Sequence, residues 1–191
     1  MRLAAPIKEI GMQKSRMIFV SVLIAIIAAG ITACAQQSPA SPPATASVTF
    51  ADGKTVTINY SRPSMRGRTI FGGLVPYGQV WRTGANAATS LKTDVDLTIG
   101  EANVPAGSYT LYSIPNENGW KLIINKETGQ WGTKYEESQD LARVAMKVSK
   151  NASPTEQFTI SLDKTSGTAA TLKLDWASTA ASVNVAEKEV K

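Results

Sequence analysis

The sequence of 191 residues contains no histidine and only one cysteine, Cys34. Without histidine, the most common general base and metal ligand of proteins is missing. A single cysteine excludes an internal disulfide and a cysteine-based zinc site. We therefore expect no metal site and no cofactor. Any chemistry must depend on carboxylates, hydroxyls, lysine or arginine.

Charged residues are also missing from Met17–Ala33, an apolar run that ends in small residues and follows a basic stretch. This pattern is typical of an export signal. The run ends in Ile31-Thr32-Ala33-Cys34, which resembles the lipobox of bacterial lipoproteins. We expect residues 1–34 to be a lipoprotein signal segment with a signal helix and Cys34 to be acylated. The anchored protein would then lie in the bacterial envelope, at the outer membrane facing the periplasm. An uncleaved anchor, or an ordinary signal peptide, is the alternative.

The remaining chain is nearly balanced in charge. Residues 1–34 carry four of the 20 basic side chains and one of the 15 acidic ones, which leaves a net charge of +2 instead of +5. No long basic run is present in the remainder, and nucleic acid is therefore not an expected partner.

The patterns after Cys34 predict a flexible tether and one β domain. Residues 35–46 are rich in Pro, Ser and Ala, which favours a tether. Short β-branched runs flank the Asp52-Gly53 turn and predict a hairpin. Similar short runs, separated by turns, predict strands at 88–93, 94–99, 108–114, 120–125, 143–148, 157–162, 168–176 and 182–185. The expected fold is all-β, a two-sheet antiparallel sandwich or jelly-roll over residues 47–186, followed by a tail at 187–191. Residues 134–143 are the only helical candidate, of at most two turns.

Between Asp52 and Asp94 the sequence has no acidic residue, yet it holds most of the arginines that follow Cys34. Arginine pairs bidentately with carboxylate or phosphate, and neighbouring aromatic rings can stack on a planar ligand or a sugar face. The predicted ligand-binding residues are therefore Arg62, Arg66, Arg68, Arg82, Tyr77, Trp81 and Asn86. An anionic small molecule or an envelope glycan is the expected ligand.

The stretch YSRPSMRGRTIFGGLVPYGQVWRTGAN, followed by VPAGSYTLYSIP, WKLIINK and QWG, resembles the bacterial family catalogued as domain of unknown function 2911. The resemblance covers about residues 46–175. It implies an exported, mostly β domain that is often lipid-anchored, and it implies no activity, substrate or catalytic residue.

Two other interpretations of the arginines remain open. In a structural or assembly protein they would be internal clamps, paired with Asp94, Asp96, Glu101 or Asp175. A hydrolase without histidine would need a close carboxylate pair or a serine–lysine arrangement. A binding protein is favoured over an enzyme, and no catalytic residue is assigned.

Overall fold

The computed structural model describes residues 40–188, and these form an almost entirely β structure. Its nine strands are β1 (Pro43–Thr49), β2 (Thr55–Ser61), β3 (Thr89–Thr93), β4 (Leu97–Ile99), β5 (Ala102–Val104), β6 (Gly107–Ile114), β7 (Trp120–Asn125), β8 (Asp140–Lys164) and β9 (Ala169–Glu187). All strand pairs are antiparallel. The predicted all-β antiparallel fold is confirmed.

The strands are joined in one open sheet in the order β1-β2-β3-β6-β7-β8-β9-β4-β5. This continuity depends on β8, whose residues Asp140–Met146 pair with β7 while Lys147–Lys164 pair with β9. The sequence predicted separate strands at 143–148 and 157–162, and again at 168–176 and 182–185. Irregular pairing between Lys150 and Thr159 bends the ladder without ending it, so each pair of predicted strands is one long strand.

The sheet curls until β2 meets the second half of β8. Ile160 N donates to Tyr60 Oη at 3.0 Å, and Phe158 N donates to Pro63 O at 2.9 Å. The aromatic rings of Tyr60 and Phe158 meet edge to face. The apolar residues of both halves therefore enclose one hydrophobic core, with Ile58, Leu111, Leu122, Phe158, Leu174 and Trp176 almost completely buried.

Alternation along β9 is as predicted: Leu172, Leu174 and Trp176 are buried, while the intervening Lys173 and Asp175 are partly exposed. Elsewhere the boundaries differ. The first strand begins at Pro43, inside the segment predicted as tether, because Pro43 can begin an edge strand without donating a hydrogen bond. The helical candidate at 134–143 contains only a 3-10 turn, Glu137–Gln139. Within residues 40–188, no helix is long and apolar enough to cross a membrane.

The arginine-rich residues 62–86, here called the arginine segment, lie in the connection from β2 to β3. These strands are hydrogen-bonded neighbours, so the segment is a long excursion between adjacent strands. It contacts two other strands on the way, since Ser64 bridges to Gln157 of β8 and Trp81 bridges to Ser113 of β6. The segment is thereby fixed to both halves of the curled sheet.

Candidate functional site

A tight turn presents the first two arginines of the candidate site. Arg66 and Gly67 both have positive φ, 50° and 71°, and Arg68 N donates to Met65 O at 3.0 Å. Positive φ at both central residues defines a type I′ turn, which strongly favours glycine, asparagine or aspartate. Gly67 satisfies this preference, whereas Arg66 holds a left-handed conformation that costs about 1–2 kcal/mol for a residue with a Cβ atom. The backbone strain at this turn is therefore concentrated in an arginine.

The contacts of this turn differ between its two guanidinium groups. Arg68 donates from Nε to Met65 O at 2.9 Å and from a terminal nitrogen to Ser64 O at 2.7 Å. The Arg66 side chain is exposed and makes no hydrogen bond or ion pair with the described part of the chain. Glu156 accepts from the backbone amide of Arg66 at 2.9 Å and not from its guanidinium. The Arg66 side chain is free to meet a ligand.

The third arginine, Arg82, is placed by close backbone contacts. A Cβ atom on Gly132 would lie 2.5 Å from Arg82 Cδ and 2.7 Å from Asn86 O, so the glycine allows the Arg82 stem to pass. The next residue, Thr83, is fully buried with a φ of 53°, which is a rare conformation for a β-branched residue. Its hydroxyl donates to Ser113 Oγ at 3.0 Å, and its carbonyl accepts from Thr89 Oγ1 at 2.8 Å. Arg82 is therefore followed by a buried residue whose hydroxyl and carbonyl are both hydrogen-bonded.

Trp81 connects the arginine segment to the core. Its ring stacks on Trp176 with centroids 5.7 Å apart and 17° between the planes. The rings of Phe71, Trp120 and Phe158 also lie within 6.4 Å of it, centroid to centroid. The sequence predicted Trp81 as an aromatic wall for a ligand, but most of its contacts are with other core rings.

These residues enclose a cleft of about 310 Å³, here called the arginine cleft. Arg66, Arg68 and Arg82 line it together with the core residues Trp81 and Trp176. The other lining residues are Ala40, Ser41, Pro63, Ser64, Leu74, Val75, Gly84 and Ala85. No aspartate or glutamate is among them. Three of the four predicted arginines thus meet at one concave site of positive charge.

A second cleft of about 300 Å³, here called the apolar cleft, adjoins the first. The two share Leu74, Val75, Trp81 and Arg82 as a common wall. The remaining residues of the apolar cleft are Pro76, Gln79, Val80, Tyr112, Gly132, Thr133 and Tyr135. Burial, together with the hydrogen bond that Tyr135 donates to Asp140, raises the pKa of Tyr135 to about 12. This phenol is therefore neutral at physiological pH, and no aspartate or glutamate lines the cleft.

Three predicted site residues lie elsewhere. Arg62 donates to Phe158 O at 3.1 Å and to Thr159 Oγ1 at 2.7 Å, which ties the end of β2 to β8. Asn86 donates to Ser41 O at 3.3 Å and lines neither cleft. Tyr77 lines a separate groove with Phe71 and Trp120. Their spacing in the sequence placed them in one loop, and the turns within that loop separate them.

The acids proposed as clamps for the arginines have other partners. Asp94 accepts from Thr55, Asp96 accepts from Ala106 N at 2.8 Å, and Asp175 pairs with Lys173 at 2.9 Å. Glu101 lines a groove beside β8 that contains no residue of the arginine segment. Within residues 40–188, no ion pair involves Arg62, Arg66, Arg68 or Arg82, and no cluster of three potential metal ligands is found.

A model of one protein family matches residues 41–185, which is most of the chain and includes every residue that lines the two clefts except Ala40. That family is described as protein of unknown function (DUF2911). The chain belongs to the DUF2911 family. No curated protein and no solved structure matches it.

The sequence did not predict several residues of the candidate site in this DUF2911 protein. Trp176 lies on β9, far along the chain from the arginines, although its alternation with Leu172 and Leu174 placed it on the buried face. Nothing in the sequence indicates a role for Gly132, because the need for a glycine there arises only from the close approach of the Arg82 side chain. The adjacent residues Arg66 and Gly67 were a signal for a type I′ turn. A turn predicted there would have distinguished Arg66, with its strained backbone, from the other arginines.

Proposed function

We propose that this protein binds an anionic small molecule or glycan at the arginine cleft. Arg66, Arg68 and Arg82 would neutralise a phosphate or carboxylate group of the ligand. Guanidinium groups suit this task because they remain charged when partly desolvated and present paired donors to planar or tetrahedral anions. Trp81 and Trp176 would form the apolar floor beneath them.

The observation that carries this proposal is the left-handed conformation of Arg66. An asparagine or glycine would relieve the strain, and the side chain makes no hydrogen bond or ion pair within residues 40–188 that explains an arginine there. Strained residues are concentrated at binding and active sites because the surrounding structure holds them for a functional contact. A ligand anion supplies the partner that Arg66 lacks.

A structural role is the second candidate, and the contacts of Arg62 and Arg68 favour it. Both donate to backbone carbonyls, so they stabilise the path of the chain. In this alternative the protein is a non-catalytic assembly lipoprotein, and the arginines serve only its fold. Ligand binding separates the two candidates, because an internal clamp gains nothing from an added anion.

We also propose that Cys34 is acylated and holds the domain at the bacterial outer membrane, facing the periplasm. Cys34 and the expected signal and tether residues 1–39 lie outside the described residues, as does the end of the tail, 189–191. Ala40 and Ser41 line the arginine cleft, and the six residues after Cys34 span at most about 20 Å when fully extended. The cleft would then lie close to the lipid headgroups. Mass spectrometry of the purified protein should find a diacylglyceryl group on Cys34, and a free thiol in the mature chain would contradict the proposal.

The binding proposal is tested on the full chain in nanodiscs of zwitterionic lipid. Thermal melts followed by tryptophan fluorescence are recorded with phosphates, uronic acids and acidic oligosaccharides, at low and physiological salt. We expect at least one anion to raise the melting temperature of the wild type and of Lys121→Gln, which removes an exposed charge from β7, but not that of Arg66→Asn. If no anion shifts the wild type, or if all three proteins shift equally, the arginine cleft is not the binding site.

A further inference from the structure

We infer that the ligand is an anionic amphiphile, a molecule with one phosphate or carboxylate group and a single apolar chain. The anionic group would lie in the arginine cleft and the chain in the apolar cleft. This inference rests on the proposed function and narrows its ligand class, because it selects an amphiphile over a glycan.

The first observation is that the two aromatic rings of the arginine cleft, Trp81 and Trp176, are packed against other rings. Sugars are commonly held by stacking on an exposed ring, but Trp176 is only 1% exposed, and Trp81 stacks on it within a cluster of five rings. The most exposed ring among the large hydrophobic residues, Trp131 at 59%, lines neither cleft. A glycan in this cleft would meet guanidinium groups without a stacking platform.

The second observation is that the positive cleft continues into an apolar one. Leu74 and Val75 form the shared wall, and Pro76 and Val80 extend it beyond Arg82. Leu74 and Val80 are unusually exposed for aliphatic residues, 48% and 38%, in a protein whose other large aliphatic side chains are mostly buried. A ligand chain that crosses this wall would remove both from water, and burial of apolar surface is favourable in proportion to its area.

The third observation concerns charge. The only ionisable groups that line the apolar cleft are Arg82, at its boundary with the arginine cleft, and the phenols of Tyr112 and Tyr135. The pKa values of both phenols are raised by burial, so both are neutral at physiological pH. Positive charge therefore lies at one end of the combined site and a neutral, mainly apolar surface at the other, which matches the two parts of an amphiphile.

The test is a titration of the full chain, in zwitterionic nanodiscs, with ethyl, butyl, hexyl and octyl phosphate below their aggregation limits. Free ligand is measured by dialysis, since the longer chains also enter the bilayer. Each buried methylene should strengthen binding about fourfold, so octyl phosphate, with four more methylenes, should bind roughly two hundred times more tightly than butyl phosphate. Val80→Ser should weaken octyl phosphate severalfold and leave ethyl phosphate unchanged, whereas Trp131→Ala should preserve the whole series.

The outcomes separate this inference from the proposed function. If all four phosphates bind equally and Arg66→Asn abolishes binding, the arginine cleft is an anion site and the amphiphile is wrong. If acidic glycans bind in a manner that depends on Trp131, the amphiphile is also wrong. If nothing binds, both proposals fail. A rise in melting temperature that depends on Arg66 in nanodiscs containing an anionic lysophospholipid, which has one acyl chain, supports the inference with a membrane lipid as the source. A rise confined to added alkyl phosphate supports it with a free amphiphile.

Discussion

Arg62 and Arg66 are four positions apart in one segment, yet the structure uses them in opposite ways. Arg62 has an ordinary backbone conformation, and its guanidinium donates to Phe158 O and Thr159 Oγ1 of β8. Arg66 has a strained backbone, and its side chain is exposed without a partner in the described part of the chain. We therefore expect the first arginine to stabilise the fold and the second to weaken it.

This difference shows that an arginine-rich segment need not have a single role. An arginine whose guanidinium donates hydrogen bonds inside the protein contributes to the free energy of unfolding. A strained residue is held in place by the surrounding structure, and an exposed side chain at such a position that lacks an internal partner is a candidate for contact with a ligand. The predictions below separate the two roles by measuring unfolding and binding on the same variants.

The largest expected effect on stability is at Trp81, where the arginine segment packs against the core. Trp81→Ala removes a ring that contacts four others, and we expect the free energy of unfolding to fall by about 3–5 kcal/mol. Chemical denaturation of the full chain measures this. Trp131→Ala is the matched control, because Trp131 is largely exposed and should cost little. Equal losses for the two variants would mean that the segment is not ordered by the core.

Arg62→Met is the next test, since it keeps the aliphatic stem and removes the two charged hydrogen bonds. We expect a loss of about 2–3 kcal/mol in the free energy of unfolding, because Phe158 O and Thr159 Oγ1 lose a charged donor. Anion binding should be unchanged when it is measured by titration at a temperature at which both proteins are folded. A variant that remained stable but lost binding would place Arg62 in the site and contradict the comparison above.

The sequence predicted the fold well because the relevant signals are local. Short β-branched runs and the turn residues between them identified nearly every strand, and alternation identified the buried face of β9. The bounds of β7, Trp120–Asn125, agree with the prediction at both ends. The continuity of β8 was not predictable in the same way. Asn151 and Pro154 look like strand breakers, but pairing with β9 carries the strand past them with an irregular register. Whether a polar stretch ends a strand or bends it depends on the partner strand.

The candidate site was predicted less completely, because proximity in the chain is not proximity in space. Arg62 and Asn86 are the end residues of the segment and were expected to join the site, but neither lines a cleft and each is held by hydrogen bonds to other parts of the chain. Trp176, from the far end of the chain, lines the arginine cleft instead. The absence of acids from the segment was the informative signal, since three of its arginines meet in a cleft without carboxylates.

A smaller effect is expected where Arg82 crosses Gly132. A methyl group at Gly132 would lie 2.5 Å from Arg82 Cδ and 2.7 Å from Asn86 O, so Gly132→Ala must shift both. We expect it to cost about 1–3 kcal/mol of stability and to weaken anion binding, because Arg82 no longer points into the cleft. Gly119→Ala is the matched control, since nothing lies within 4 Å of its added methyl group. Unchanged binding in Gly132→Ala would exclude Arg82 from the site.

The smallest expected effect on stability is that of Arg66→Asn, and it has the opposite sign. It distinguishes Arg66 from Arg62 most clearly. Asparagine accepts the left-handed conformation of position 66 more readily than arginine does, so Arg66→Asn should raise the free energy of unfolding by about 0.5–1 kcal/mol. Removal of a central binding arginine should at the same time weaken anion binding by tenfold or more. Ala177→Gly is the control for strain, because Ala177 has a similar φ of 53° on β9 and its relief should not affect binding.

The signs of these two changes decide between the candidate functions. A clamp predicts that Arg66→Asn destabilises the protein, as Arg62→Met does, because a useful internal contact is lost. A binding residue predicts a more stable protein that binds less, which no internal role produces. If Arg66→Asn is less stable than the wild type and binds anions equally well, then Arg66 and Arg62 have the same role and the arginine segment serves the fold alone.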